Sequence, residues 1–355
     1  MTELVSSWER MKLNMQDRLM DWFLRSKIWN GEAYISYYSS KTRGPVYPEI
    51  TAYAISLSCV LYKRTGNGEF LDRAEKCAKY MIKNSRNGGI PSFSDNLLYA
   101  FDTGIFISSM FDLHELTHEK AYLKEAERSL SWLCFLWDGR QFAAVNEIPK
   151  NFDWFHVPSV HLAKLAIPLL KASKWLKEEK YAMVASKLLN RYRQLQTESG
   201  SFIVNEESGI VMTHPHCYAT EGFLYAYHAL EDQAFLEVAR KASDWLCRTQ
   251  NSDGSLYRCY SSQKMIKKEK LKTSDATAQA TRIWKLLGVN QEGIDRAYRY
   301  LDGELAENGL TLFKKESTLG KLLSWRRETF SWPTFFYLHS LTLPYGNLEF
   351  CYELF

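Results

Sequence analysis

The sequence predicts an all-α fold in which six helical hairpins form a closed ring, an (α/α)6 barrel, and three observations predict it. Glycine turns followed by an apolar or aromatic residue recur at Gly31, Gly89, Gly139, Gly200, Gly254 and Gly309. By subtraction, their separations are 58, 50, 61, 54 and 55 residues. An amphipathic helical pattern precedes each turn, and a mostly apolar one follows it. A helical hairpin repeated at a fixed period is typical of repeat architectures.

The hairpin between His214 and Leu256 shows the repeating unit most clearly. Its first helix, from about Tyr218 to Leu230, is apolar or aromatic on almost every side, which is typical of a buried helix. The second helix has apolar residues at intervals of three and four and charged residues on its other face, so it is half solvated. Gly254 then ends the helix, because glycine readily takes the left-handed conformation. Each unit is therefore an inner helix, an outer helix and a glycine turn that leads into a short extended segment.

A second series of residues marks the starts of the inner helices. These positions are Glu49, Asp102, Val157, Tyr218, Asp275 and Trp332, separated by 53, 55, 61, 57 and 57 residues. The outer helices number six only if the amphipathic segment Met15–Phe23 is counted, and the last inner helix, Trp332–Leu341, has no full outer partner after it. We therefore expect the N-terminal helix to pack beside the last inner helix and close the ring.

Composition narrows the class of protein. No Pro/Gly/Ser-rich linker divides the 355 residues, which predicts a single domain over 1–355. A net charge of +4 implies no nucleic-acid partner, and the lysine-rich segment 261–273 has no interleaved aromatics. No run of about 18 apolar residues and no signal peptide are present, so we expect no membrane association and a cytoplasmic location. The seven scattered cysteines lack zinc spacing, which favours reduced thiols, no metal and no cofactor.

Functional residue types concentrate where the inner helices begin. In a ring, these N-termini surround one end of the central cavity and direct partial positive charge and free N–H groups at it. Carboxylates mixed with aromatics and donors suit a sugar, which needs hydrogen bonds at its rim and stacking on its apolar face. The candidate catalytic residues are Asp102, Asp275, Glu49 and Glu221. The candidate ligand-binding residues are Tyr47, Trp154, His156, His214, His216, Tyr218, Arg282, Arg326 and Trp332.

The repeat register predicts a catalytic pair. Repeats two and five lie opposite each other in a ring of six, so Asp102 should face Asp275. Packed helices lie roughly 8–10 Å apart, which leaves a gap on the order of 10 Å between inward side chains. That gap is nearer the separation of about 6.5–9.5 Å in inverting glycosidases than the 5–5.5 Å of retaining ones. Glu49 and Glu221 are the reserves for this acid/base chemistry.

Structural interpretations of the same residues remain open at this stage. Asp102 and Asp275 can serve as N-caps or first-turn acids, each worth about 1 kcal/mol to its helix. His214 and His216 suggest a metal, but two alternate histidines without a third ligand make a weak site. Arg326 is the candidate partner of a uronate carboxylate, because a guanidinium can bind one bidentately.

The repeats resemble those of the six-hairpin glycosidase superfamily. The resemblance lies in segments such as YAFDTGIFISSMFDLHELTHEKAYLKEAERSLSWL and HCYATEGFLYAYHALEDQAFLEVARKASDWLCRTQNSDGSL. Its members include unsaturated-glucuronyl hydrolases, N-acylglucosamine epimerases and related uronate-acting enzymes. The resemblance implies a carbohydrate-binding toroid, most simply a glycoside hydrolase, with epimerase and lyase activities open. It carries over no catalytic residue.

Two further classes of toroid compete with the carbohydrate enzyme. A non-catalytic glycan-binding or scaffold toroid should have a cavity blocked by large side chains or loops. The segment KASDWLCRTQNSDGSL also resembles a repeat of triterpene cyclases and protein prenyltransferases. However, the sequence has no DxDD motif and no evident Asp/Cys/His zinc set, and an isoprenoid cavity should hold few carboxylates.

Overall fold

Twelve α-helices in two concentric layers make up most of the described chain. The computed structural model describes residues 7–92, 95–262, 271–315 and 328–355. The outer helices are α1 (Ser7–Arg25), α3 (Gly68–Asn84), α5 (Lys120–Phe135), α7 (Glu179–Arg193), α9 (Gln233–Thr249) and α11 (Gln291–Glu304). The inner helices are α2 (Pro48–Thr65), α4 (Ala100–Thr117), α6 (Ala166–Leu176), α8 (Thr213–Leu230), α10 (Ser274–Leu287) and α12 (Ser331–Thr342).

The inner helices form a closed ring. Each contacts the next in chain order, and α12 returns to contact α2. Helix α1 completes the outer layer at this junction, where the Phe23 ring lies 5.2 Å from Phe335 of α12 and 6.1 Å from Phe70 of α3, centroid to centroid. The (α/α)6 toroid and its closure by the N-terminal helix are therefore confirmed.

Hydrophobic patterning separates the two layers as expected. The outer helix α9 buries Phe235, Val238, Ala239, Ala242 and Trp245, the residues at helical intervals, and exposes its charged face. Its neighbour α8 is buried along almost its whole length. Gly254, with φ of +90°, makes the turn that follows α9, and a Cβ there would meet the Arg296 backbone at 2.2 Å. Only glycine fits this turn.

Short antiparallel strands frame one end of the ring. They are β1 (Tyr37–Tyr38), β2 (Ile210–Met212), β3 (Leu256–Tyr257), β4 (Cys259–Ser261), β5 (Leu271–Thr273), β6 (Leu305–Ala306), β7 (Gly309–Thr311), β8 (Phe313–Lys315) and β9 (Thr329–Phe330). They pair in the orders β1-β9-β7-β6, β2-β4 and β3-β5-β8. Because β2, β5 and β9 lead directly into α8, α10 and α12, these sheets surround the N-terminal ends of the inner helices.

Two inner helices begin elsewhere than the sequence predicts. In the third repeat, Val157 follows a short 3-10 helix, Trp154–His156, and precedes Pro158, which disfavours helical conformation at the residue before it. A second 3-10 helix, Val160–Leu165, then leads into α6. Helix α8 begins at Thr213 rather than near Tyr218, since proline is tolerated in a first helical turn.

The opposite end of the ring is filled by the C-terminal segment. A 3-10 helix, Leu348–Glu353, packs against α8 and α10. Beyond it, the buried Phe355 ring lies 5.6 Å from Tyr53 and 4.7 Å from His339. Arg64 anchors this segment through a 2.8 Å ion pair with Glu353. No helix in the described ranges has the length and apolar character needed to cross a membrane.

Ring closure through α1 predicts a specific loss of stability. Phe23→Ala removes a fully buried ring that joins α1, α3 and α12, so the free energy of unfolding should fall by about 3–5 kcal/mol. Phe135→Ala, at a ring that is 86% exposed, is the matched control and should change it by less than about 0.5 kcal/mol. Urea unfolding followed by circular dichroism measures both. Equal stability of the two variants would contradict the closure role of α1.

Candidate active site

A cavity of about 440 Å³ lies at the N-terminal ends of the inner helices. Each of the six inner segments contributes a side chain from its start: Glu49, Asp102, His161, His214, Asp275 and Trp332. Tyr47, Trp154 and Tyr218 also line it. Eight of the thirteen residues predicted from the sequence therefore meet at one cavity, which is at the end of the ring where the sequence places it.

Asp102 is a buried carboxyl in the first turn of α4. It is not the N-cap, since that position belongs to Tyr99. Burial raises the pKa of Asp102 well above its usual range, and the charges of Glu49 and Asp95 raise it further. No described side chain donates a hydrogen bond to this carboxyl. This carboxyl therefore gives up its proton less readily than an exposed aspartate does.

Glu49 lies in the first turn of α2, and its carboxylate is joined to the opposite side of the ring. The Tyr218 hydroxyl, from α8, donates to Glu49 Oε1 at 3.2 Å. Burial raises the pKa of Glu49, and the hydrogen bond from Tyr47 and the charges of His214 and Lys164 offset this only in part. Since α2 and α8 are the first and fourth inner helices, the Tyr218–Glu49 bond crosses the ring and forms the floor of the cavity.

Asp275 has a different environment, in which donors surround the carboxylate. Oδ1 accepts hydrogen bonds from the Thr273 hydroxyl and, at 2.6 Å, from the Ala276 amide. Oδ2 accepts from Trp332 Nε1 at 3.4 Å and lies 3.6 Å from His214 Nδ1. The N-cap of α10 is Thr273, so Asp275 is also a first-turn residue rather than a cap.

His214 is held by acceptors on one side of its ring. Its Nδ1 lies 2.5 Å from Gln279 Oε1 and near Asp275 Oδ2. Because both neighbours are acceptors, Nδ1 carries the proton in the neutral ring and Nε2 has the free lone pair. His161, by contrast, is buried, which together with the charge of His214 lowers its pKa to about 3 and keeps it neutral.

Aromatic rings form much of the cavity wall. Trp154 meets the His161 ring edge to face at 5.3 Å, and Trp332 meets Tyr47 in the same way at 6.1 Å. Phe101 packs on Tyr218 at 4.8 Å, at the floor. Faces of this kind are suited to stack on the apolar side of a sugar ring.

Glu221 and Arg282 do not line the cavity, in contrast to the expectation from the sequence. Both are fully buried, with Arg282 Nη1 3.4 Å from Glu221 Oε1 and Lys164 Nζ 2.8 Å from Oε2. The reason is the early start of α8, which places Glu221 two turns into the helix and below the Tyr218 floor. Arg282 is likewise two turns into α10. Both lie in an ion cluster beneath the cavity.

His216 and His156 also lie outside the cavity wall. His216 is buried against the outer layer, where Nδ1 accepts from the Phe202 amide and Nε2 donates to the Ala242 carbonyl, both at 3.1 Å. Burial lowers its pKa to about 3. His156 Nδ1 accepts from the Asp153 amide at 2.9 Å. Both histidines satisfy backbone groups. Arg326 lies outside the described residues.

Sequence reasoning missed several residues of the wall. Tyr99 and Phe101 flank the start of α4, and Arg258 comes from the extended segment after the Gly254 turn. Tyr99 had a signal in the sequence, because it directly precedes an inner helix as Tyr47 does. Arg258 had none, since its approach to the cavity depends on how β3, β4 and β5 pair. Among the described residues, no three His, Cys, Asp or Glu side chains come together as a metal site.

The chain matches no protein-family model. A search of curated protein sequences found no relative. Solved structures do match. A cellobiose 2-epimerase from Bacillus thermoamylovorans is 10% identical, with a TM-score of 0.76 over 94% of this chain and 99% of that one. An unsaturated glucuronyl hydrolase specific for heparin is 13% identical, with a TM-score of 0.69 over 94% and 95%.

An α-1,6-mannanase from Salegentibacter is also similar, at 11% identity and a TM-score of 0.65 over 94% of this chain and 98% of that one. At these identities, the likeness establishes the fold. The chain thus has the (α/α)6 toroid fold of six helical hairpins that these solved structures share.

Proposed function

We propose that this chain is a carbohydrate-active enzyme that hydrolyses a glycosidic bond in an oligosaccharide or uronide. The observation that carries the proposal is the buried carboxyl of Asp102, which lies in a cavity with two further carboxyl groups and aromatic walls. Burial and the charges of Glu49 and Asp95 raise the pKa of Asp102 well above its usual range, which suits this carboxyl to give a proton to a leaving oxygen. The names of the similar structures support the same substrate class.

Asp275 is the proposed base. It belongs to the fifth inner helix and Asp102 to the second, so the two approach a bound sugar from opposite sides of the ring. Asp275 takes a proton from water as the water oxygen bonds to the anomeric carbon. The bond from that carbon to the leaving oxygen breaks, and the leaving oxygen receives the proton of Asp102. This arrangement inverts the anomeric configuration.

Glu49 is proposed to assist Asp102 rather than to react. Its negative charge lies close enough to raise the pKa of Asp102, so an ionised Glu49 favours the protonated acid. Trp154, Tyr47 and Trp332 provide the stacking surfaces. Arg258 adds a guanidinium to the wall that suits a uronate carboxylate.

The other toroid classes fit this cavity less well. A scaffold toroid predicts a blocked centre, whereas about 440 Å³ is open here. An isoprenoid toroid predicts few carboxylates, whereas Glu49, Asp102 and Asp275 all line the wall. The open volume thus argues against a scaffold, and the three carboxyl groups favour a polar ligand.

A sugar epimerase or lyase is the second candidate, and His214 is the observation that favours it. Gln279 and Asp275 fix its Nδ1–H, which leaves Nε2 as a base at the cavity. Such a base can remove the proton from a carbon next to a carbonyl or carboxylate group. Its activity would depend on His214 rather than on Asp102.

Isotope labelling distinguishes these reactions. The protein is incubated with a panel of oligosaccharides, unsaturated uronides and reducing sugars, in H2 18O and separately in D2O. Hydrolysis should add one 18O to the new reducing end. Epimerisation should add one deuterium to carbon without a change in chain length, and lyase action should break the chain without 18O. Deuterium on carbon without 18O would reject the hydrolase.

Removal of either proposed catalytic carboxyl should abolish turnover while the fold survives. Asp102→Asn cannot donate its proton and Asp275→Asn cannot accept one, so each should lower kcat by about 10²–10⁴-fold. The exposed Asp244→Asn on α9 is the control and should retain parent activity. Steady-state kinetics and circular dichroism provide the measurements. Near-parent activity in either cavity variant would reject the pair.

The raised pKa of Asp102 also predicts a stability effect that needs no substrate. The folded state holds this proton more tightly than the unfolded chain does, so stability is lost as pH rises above the unfolded pKa of about 3.9. Asp102→Asn removes this loss, so its melting temperature should exceed that of the parent at pH 7, with the difference shrinking toward pH 4. Calorimetry from pH 4 to 8 checks this. A variant less stable at pH 7 than at pH 4, relative to the parent, contradicts it.

A further inference from the structure

A buried ion cluster lies directly beneath the cavity floor. It consists of Lys164, Glu221 and Arg282, none of which has any exposed side-chain surface. Lys164 comes from the 3-10 helix Val160–Leu165, Glu221 from α8 and Arg282 from α10. Gly222 permits the close approach of the first two segments, since a Cβ there would lie 2.5 Å from the Ala163 carbonyl oxygen. The cluster has two cations and one anion.

The cluster reaches the cavity through one aromatic ring. Lys164 Nζ lies 4.4 Å from the centroid of Tyr218, and the hydroxyl of that ring donates to Glu49. The Lys164 ammonium donates to Glu221 on one side and packs on the Tyr218 ring on the other, and the hydroxyl of this ring is the donor to Glu49. The contacts run without a gap from Glu221 through Lys164 and Tyr218 to Glu49.

Stability alone does not account for this cluster. Burying an ion pair carries a desolvation cost that its attraction often fails to repay, and well-packed apolar residues of similar size are commonly as stable or more so. Here the charges do not even balance within the cluster. Their excess positive charge lies below Glu49, the carboxylate that faces Asp102.

We propose that Lys164 is a positioning residue of the catalytic site, which holds the Tyr218 hydroxyl on Glu49 and places a positive charge beneath that carboxylate. This inference rests on the proposed function, in which an ionised Glu49 keeps the proton on Asp102. Several titratable groups face Glu49. They are Tyr47, the N-cap of its own helix, and Tyr53 within that helix, Asp102 from α4, Lys164 from the 3-10 helix, and His214 and Tyr218 from α8.

The electrostatics of both groups agree with this role. Lys164 lowers the pKa of Glu49 against the larger effect of burial. Burial in turn lowers the pKa of Lys164 to about 8, although the nearby charges of Glu221 and Glu49 oppose this effect. At neutral pH, Lys164 therefore remains a cation.

The cluster also provides a clean experiment. In Lys164→Met, Arg282 still lies beside Glu221, so the buried anion keeps a counter-charge and the fold should survive. Lys171→Met is the matched control. Lys171 is a second buried lysine of the inner layer, which donates to Ser108 at 2.8 Å and pairs with Asp112 at 2.5 Å, away from the cavity wall.

The test measures the titration of Glu49 directly, without a substrate. Protein with 13C-labelled glutamate carboxyls is titrated by NMR, and Glu49→Gln identifies the Glu49 signal. In Lys164→Met, the midpoint should rise by about one pH unit, and in Lys171→Met it should not move. Tyr218→Phe, which removes only the hydroxyl, should shift it in the same direction, so the inference stays testable if Lys164→Met fails to fold.

An unchanged Glu49 midpoint in Lys164→Met, or equal shifts in both lysine variants, overturns the inference whatever the enzyme does. On the substrate that isotope labelling identifies, Lys164→Met should lower kcat while KM changes less, because a Glu49 that ionises at higher pH favours the proton on Asp102 less. A shifted midpoint in a protein that turns over no sugar supports the role of Lys164 toward Glu49 and rejects the proposed hydrolase. The two failures are thus separate.

Discussion

The common orientation of the inner helices is the constraint on which this site depends. Closure of the ring brings the N-terminal turns to one end, where their partial positive charges and free N–H groups surround a single cavity. Burial of a carboxylate carries a desolvation cost. The positive ends of the helix dipoles offset part of this cost here, whereas the negative ends at the other end of the ring would not. Glu49, Asp102 and Asp275 all occupy first turns of this kind. The fold thus determines where several buried carboxyl groups can lie close together.

The three carboxyl groups of the cavity have different electrostatic environments, because different donors and charges surround each of them. Asp275 is surrounded by hydroxyl, amide and indole donors. Asp102, in contrast, is buried and lies near the charges of Glu49 and Asp95. Glu49 has an intermediate environment. It accepts a hydrogen bond from the Tyr218 hydroxyl, and the buried ammonium of Lys164 packs on the Tyr218 ring. In the proposed reaction, environment rather than residue type would thus assign the proton donor and the proton acceptor, as in other enzymes that use two carboxyl groups for acid and base.

The ring and much of the site follow from periodicity, because first-turn residues can be counted from one repeat to the next. Asp102, Asp275 and Glu49 reach the cavity for this reason. Depth within a helix is harder to predict, since it depends on where that helix begins. Helix α8 begins before Pro215, so Tyr218 becomes the floor and Glu221 lies below it. Counting from one repeat to the next does not predict the position of Arg258, because that position depends on strand pairing between distant segments.

Among the described residues, the packed C-terminal segment closes one end of the ring. Phe355 and its neighbours fill the far end, so the cavity is closed there and does not run through the ring as a tunnel. A linear polymer cannot thread through a ring closed in this way, so the proposed glycan substrate has to enter, and its products have to leave, on the side of the inner-helix N-termini. Product release and the binding of the next substrate then compete for the same side of the ring.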